Sequence, residues 1–211
     1  MDVPHSPGFI VLCGKTGSGK TALLRQLKLS GYPTIDLEKI ASHRGSAFGS
    51  LLLNVQPSQP DFDTEIQKSF LKHCSAYIFV EQKPTSLGKR KIPAWFYTKI
   101  QHGIFVMLDV DKKRRIDNIL REYRAAGKES FMHALLKLKE RLPDSVMKEC
   151  KALLHSENYN SFIENMLDYY DQTSKYNVED IKLRIKVETN NSLETMNILL
   201  KKLVETGINV L

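Results

Sequence analysis

Cysteine is scarce in this chain: Cys13, Cys74 and Cys150 are the three among 211 residues. Their odd number and wide spacing exclude a disulfide framework and a zinc knuckle. No apolar run approaches the ~20 residues needed to cross a bilayer, and none has the make-up of a secretory leader. A cytoplasmic protein without a membrane partner is therefore expected. Also missing are the H-E-x-x-H, C-x-x-C and nucleophile-elbow patterns, and the six histidines are dispersed, which removes metalloprotease and serine-hydrolase chemistry from consideration. No internal repeat or low-complexity tract occurs. What is present is an ordinary globular composition, 42% hydrophobic and 26% charged, with 31 basic against 24 acidic residues and a net charge of +7. That excess suits phosphate-bearing partners.

Apolar runs from Phe9 to Cys13, Pro33 to Leu37, Tyr77 to Val80 and Ile104 to Val110 alternate with helical or loop-like sequence. Such alternation predicts a mainly parallel sheet with crossover helices, an α/β fold in three layers. After the fourth run Asp111 stands as an N-cap, and Ile116, Ile119, Leu120 and Tyr123 share one helical face. The other faces are basic, with Lys112, Lys113, Arg114, Arg115, Arg121 and Arg124. From about Ala125 helices follow without strands, Leu135, Leu138 and Leu142 in one and Phe162, Ile163, Met166, Leu167 and Tyr170 in another. Strict alternation from Asp180 to Thr189 predicts an edge strand, and a closing helix turns Leu193, Met196, Leu200 and Leu203 to the core. The expected organisation is a core over residues 1–125, a helical appendage over 126–178, and a closing strand and helix over 179–211.

Gly14-Lys15-Thr16-Gly17-Ser18-Gly19-Lys20-Thr21 fits G-x-x-x-x-G-K-S/T, with a strand before it and a helix after it. The glycines allow backbone N–H groups to converge, and the helix N-terminus adds positive charge at the same point. Lys20 is placed to reach terminal phosphates and the Thr21 hydroxyl to coordinate magnesium. Anion binding follows from this more directly than hydrolysis does. A second carboxylate near the metal is sought among Asp36, Glu38, Glu81 and Asp109, and Asp36 and Glu81 are favoured. The segment from Asp36 to Gly49 joins a carboxylate, His43, Arg44, Gly45 and Ser46. Arg44 offers a planar donor fork for phosphate, and His43 can carry a proton near neutral pH.

The run D-L-E-x-x-A-x-H-R-G-S-x-F-G, followed by Gln56-Pro57-Ser58-Gln59 and preceded by this phosphate loop, closely resembles the P-loop half of tRNA 2-selenouridine synthase. The likeness continues through Arg115, Lys139-Glu140-Arg141-Leu142 and Leu167-Asp168-Tyr169-Tyr170-Asp171 with Tyr176. It implies a P-loop NTPase-like fold and a transferase acting on wobble 2-thiouridine in tRNA. It also implies selenophosphate as substrate, an S-geranylated base made from geranyl diphosphate, and a rhodanese unit whose cysteine handles sulfur or selenium. Eight residues precede Phe9, so the expectation is either a split enzyme whose rhodanese is a separate protein or a descendant with altered activity. Cys13, on an apolar strand, makes a poor nucleophile. After Glu81 the family reads E-S-R, whereas this chain reads Glu81-Gln82-Lys83, and a lysine cannot make the bidentate contact of the arginine.

On this reading Gly14 to Thr21, Arg44, Gly45, Ser46 and Arg115 bind phosphate, and Lys20, Asp36, His43, Arg44 and Glu81 carry the chemistry. Thr21 and Asp36 hold magnesium, and the loop takes geranyl diphosphate or a nucleotide such as ATP or GTP. Lys89, Arg90 and Lys91 with the basic helix face the tRNA backbone, while Trp95, Phe96 and Tyr97 either stack on an unpaired base or pack in the core. Two other readings stand beside it: an NTP-dependent small-molecule kinase, and a non-catalytic nucleotide- or RNA-binding module.

Overall fold

The computed structural model describes residues 6–44, 55–123, 127–173 and 181–210. Five parallel strands form the sheet: β1 (Gly8–Cys13), β2 (Thr34–Ile35), β3 (Tyr77–Glu81), β6 (Ile104–Asp109) and β7 (Ile181–Lys186), in the order β2-β3-β1-β6-β7. Strand side chains alternate between faces, and β1 shows the result. Ile10 and Leu12 pack with Leu23, Leu24 and Leu27 of α1 (Lys20–Leu29) and with Met196, Leu199 and Leu203 of α9 (Ser192–Glu205). Phe9 and Val11 face the other way, onto Phe62 and Ile66 of α3 (Gln59–Leu71) and Phe96 and Ile100 of α4 (Ala94–Gln101). Helices thus cover both faces, as a parallel sheet requires, and the fold is a three-layer P-loop α/β/α fold.

A third core lies in a helical lobe built from α6 (Lys128–Leu136), α7 (Asp144–His155) and α8 (Tyr159–Thr173). α5 (Lys112–Glu122) joins the lobe to the sheet, its Ile116, Ile119 and Leu120 packing onto the lobe core. Asp111 caps α5, accepting from the Arg114 N–H at 2.9 Å. Three details differ from the pattern-based expectation. Leu138 and Leu142 are buried but lie beyond the end of α6, in the turns before Pro143, which disfavours helix at the residue before it. In α9 Leu199 is buried beside Met196 and Leu203, whereas Leu200 is half-buried and Leu193 is 46% exposed. A small hairpin, β4 (Ser86–Leu87) with β5 (Arg90–Lys91), follows Glu81; strands this short carry no periodicity to read.

Candidate phosphate-binding site

The loop between β1 and α1 turns on glycines. Gly17 and Gly19 have φ of 80° and 81°, where an L side chain is strained. A Cβ on Gly17 would also lie 2.7 Å from the Arg115 carbonyl oxygen, so this residue must be glycine to let α5 approach. The loop closes around its own lysine. Lys20 Nζ donates to Gly14 O at 2.6 Å, Lys15 O at 3.1 Å and Ser18 Oγ at 3.2 Å. Burial, reinforced by repulsion from Lys83, pushes its ammonium down to about 8.

Beside the loop lie two buried carboxylates with a lysine between them. Lys83 Nζ donates to Glu38 Oε1 at 2.5 Å and to Glu81 Oε2 at 2.8 Å. Thr21 Oγ1 is 3.4 Å from Glu38 Oε2. Burial alone would pull Lys83 down, but Glu81 and Glu38 outweigh it and hold the ammonium charged. Burial likewise favours the acid form of Glu81; Lys83 and Lys20 reverse the sign and keep it ionised. Burial and the nearby Glu81 raise Glu38. Asp36 has a different place: its carboxylate caps α2 (Leu37–Ala41), accepting from the Lys39 N–H at 2.9 Å. Asp109 is exposed at the end of β6.

The left-handed turn at Ser42, φ 47°, carries the chain from α2 to His43 and Arg44. The Arg44 guanidinium lies 5.0 Å from the centre of the Tyr123 ring, with Nε 3.6 Å from Glu122 Oε1. Its Nε and Nη1 are buried and make no hydrogen bond to any of the described residues. His43 stands against Gly88, and burial followed by Lys137 lowers its imidazole, which is thus neutral at pH 7. Gly45 and Ser46 lie outside the described residues, as do Arg124 and Tyr176. Gln56 fastens this region, donating to Ala41 O and Leu87 O at 3.0 and 2.9 Å and accepting from the Lys89 N–H at 2.8 Å. Ser58 caps α3, and Gln59 pairs with the backbone of Lys91. The Q-P-S-Q signature therefore does structural work here.

A cavity of about 950 Å³ runs from the loop into the helical lobe. Its lining joins Gly17 to Thr21, Glu38, Arg44, Glu81 and Lys83 with the largely apolar Ile119, Tyr123, Phe131, Phe162, Ile163, Met166 and Leu167 of α5 and the lobe; Ile119 lies against Gly17 and Tyr123 under Arg44. The apolar wall went unnoticed in the sequence because the helical spacing that marks these residues as core also leaves them free to line a cleft.

Arg115 is 2% exposed and committed elsewhere than the cavity. Its Nε donates to Thr16 O at 2.7 Å, and Nη1 and Nη2 fork onto Asp171 of α8 at 2.7 and 2.8 Å. Lys15 reaches the same carboxylate at 3.1 Å. Burial would raise Asp171, but Arg115 and Lys15 hold it below the usual carboxylate range. Asn118 donates to Gly17 O at 2.9 Å, so α5 grips the loop at two carbonyls. The basic face of α5 is largely paired within the lobe: Lys112 with Glu164 and Asp168, and Arg114 with Asp111. Lys89 and Lys91 are exposed on the hairpin. Phe96 is fully buried, Tyr97 half-buried, and Trp95 is 42% exposed against Phe70 and Phe96. Among the described residues no helix is long and apolar enough to cross a membrane.

Comparison with known proteins places this geometry in a family. A family model described as the tRNA 2-selenouridine synthase AAA domain matches residues 7–153. The proteins named tRNA 2-selenouridine synthase from Nitrosomonas eutropha and Bordetella petrii are 37% identical over 122 residues and 40% identical over 119, covering 56% and 55% of this chain and 31% and 30% of theirs. That of Shewanella sp. strain ANA-3 is 30% identical over 208 residues, covering 83% of this chain and 56% of its own. The chain thus spans about a third to somewhat over half the length of these relatives. A shikimate kinase from Acinetobacter baumannii in complex with shikimate aligns over 97% of both chains at a TM-score of 0.46 and 12% identity. The match over residues 7–153 takes in the phosphate loop, both buried glutamates and Arg115, and the chain belongs to the family of the tRNA 2-selenouridine synthase AAA domain.

Proposed function

We propose that this chain is the diphosphate-binding part of a tRNA 2-selenouridine synthase, holding geranyl diphosphate while tRNA presents its wobble 2-thiouridine. The observation that carries the reading is the mixed lining of the cavity, in which the phosphate loop adjoins apolar side chains of α5 and the helical lobe. A nucleotide asks for polar contacts beyond its phosphates, whereas this cleft continues from the loop into an apolar wall suited to a ten-carbon isoprenoid. The thiouridine sulfur attacks C1 of the geranyl group, the C1–O bond breaks, and the diphosphate leaves with the bonding electrons. Loop N–H groups, Lys20 and the buried Nε and Nη1 of Arg44 stabilise the charge gathered on the leaving oxygens. The selenium of selenophosphate then attacks C2 of the geranylated base, the C2–S bond breaks with loss of geranylthiolate, and water cleaves the Se–P bond to release phosphate and leave the 2-selenouridine.

The thiol chemistry belongs to a rhodanese unit outside residues 1–211. Cys13 and Cys150 are buried, their thiols pushed up to about 11 by burial. Cys74 is exposed but precedes β3, at the opposite end of the strands from the phosphate loop. The tRNA meets the exposed Lys89 and Lys91 and the face of Trp95.

Magnesium is implied by the loop sequence. The residues present do not fit it: Asp36 is used as a cap, Lys83 holds Glu38 and Glu81, and among the described residues no three His, Cys, Asp or Glu side chains gather as a metal site.

Calorimetry tests the occupant. Geranyl diphosphate should bind at least about tenfold more tightly than inorganic diphosphate, since each buried methylene contributes ~0.8 kcal/mol. Met166→Asp should erase that difference. ATP or GTP binding more tightly than geranyl diphosphate, with no response to Met166→Asp, would instead favour the kinase reading. Turnover is tested by mixing the chain with a rhodanese protein, thiolated tRNA, geranyl diphosphate and selenophosphate, and analysing nucleosides by mass spectrometry.

The titration of Lys20 gives a pH signature. Its ammonium is pushed down to about 8 from 10.5, so the free protein loses this charge as pH rises through 8. Geranyl diphosphate affinity should then fall by about tenfold per pH unit, until the higher value that Lys20 takes in the complex is reached. Folding stability moves the other way. Over the window from about 8 to 10.5 the unfolded chain binds the extra proton, and this group's contribution to stability rises with pH. An affinity flat from pH 7 to 9 would show that Lys20 does not meet the anion.

A further inference from the structure

We propose that Lys83 is a tethered counter-ion standing where a P-loop protein would hold a divalent cation, so that this chain binds its diphosphate without metal. The inference rests on the diphosphate reading for its consequence, but its structural basis is independent of any ligand. Lys83 Nζ bridges Glu38 Oε1 and Glu81 Oε2 at 2.5 and 2.8 Å, and the side chains of the three residues are 8%, 7% and 3% exposed. Thr21, the usual hydroxyl ligand, is already 3.4 Å from Glu38. Two carboxylates therefore face two ammoniums, Lys83 and Lys20, and the local charge is balanced.

Adding a dication would place it against both ammoniums, or require Lys83 to leave a buried site where its charge is paired twice. The backbone gives Lys83 little room to leave. Gln82 N–H is bound to Leu12 O at 2.9 Å just before it, and Gln56 fastens the hairpin just after it through Leu87 and Lys89. An ammonium also delivers positive charge with no metal affinity to satisfy, which suits a site whose ligand arrives as a diphosphate ester and leaves as free diphosphate.

The test removes the tether. In Lys83→Met, Glu38 and Glu81 become two unpaired buried carboxylates, a site that now favours a divalent ion. Mn²⁺ titration followed by electron paramagnetic resonance, with no other ligand, should show wild type and Lys83→Arg taking up no stoichiometric ion at about 1 mM, the weak end of the range of oxygen-ligand sites. Lys83→Met should take up one, and Lys83→Met with Glu81→Gln should lose it. Calorimetry with geranyl diphosphate should give a wild-type affinity that changes less than about threefold between EDTA and Mg²⁺. Lys83→Met should weaken by at least about tenfold in EDTA. Stoichiometric Mn²⁺ in wild type that Glu81→Gln removes overturns the proposal, as does Lys83→Met gaining no ion. If Lys83→Met does not fold, the wild type and Glu81→Gln measurements decide alone. Failure of geranyl diphosphate to bind at all, with the Mn²⁺ results as expected, would sink the diphosphate reading and leave the tethered cation standing.

Discussion

Lys20→Ala should weaken binding of geranyl diphosphate by at least about a hundredfold, measured by calorimetry at pH 7. A hundredfold is roughly 2.7 kcal/mol, within reach of one or two charge-assisted hydrogen bonds lost in a water-poor cleft. The lysine now satisfies Gly14 O, Lys15 O and Ser18 Oγ, all within the loop. The ammonium is thus held inside the loop, and it meets a ligand by exchanging these loop oxygens for phosphate oxygens. If the variant bound geranyl diphosphate and nucleotides as well as wild type does, the loop would not be the anion site.

Arg115→Lys should lower the thermal midpoint by about 5–15 °C. The arginine makes one bond to Thr16 O and a two-pronged contact with Asp171 while 2% exposed. A lysine reaches one of these partners and cannot reproduce the fork, so the Thr16 carbonyl or the Asp171 carboxylate loses its guanidinium donor, at a cost of about 2–4 kcal/mol. A chain of this size loses ~2–4 °C per kcal/mol. A shift under 2 °C in differential scanning calorimetry would mean that the fork is dispensable. The same variant should also weaken geranyl diphosphate binding, because the carbonyl that Arg115 holds belongs to the phosphate loop.

Much of this was legible in the sequence because it is local. The phosphate loop, α1 and the capped start of α5 are written in contiguous residues, and the edge strand shows itself through the alternation from Ile181 to Lys186. The site was legible only in part. Asp36 and Glu38 both follow β2, and nothing in their order reveals that the first would be used as a cap and the second turned toward Thr21. Arg115 read as a phosphate ligand because its partner, Asp171, is 56 residues away on another helix. Lys83 was noticed as a departure from the family pattern, but its two carboxylate partners come from separate elements that only the sheet brings together.

The strand order has a consequence for how copies of the chain behave toward one another. A parallel sheet ends in two rows of unpaired backbone groups, and such rows invite a neighbouring polypeptide to add itself. Here one border, β2, is two residues long, too short to template a strand. The other, β7, places Lys182, Arg184 and Lys186 in solvent at every second position, a fence of like charge that an identical border cannot approach. The molecule therefore discourages fibre-like stacking along its sheet, and whatever assembly it enters must use its helices, its lobe or its loops.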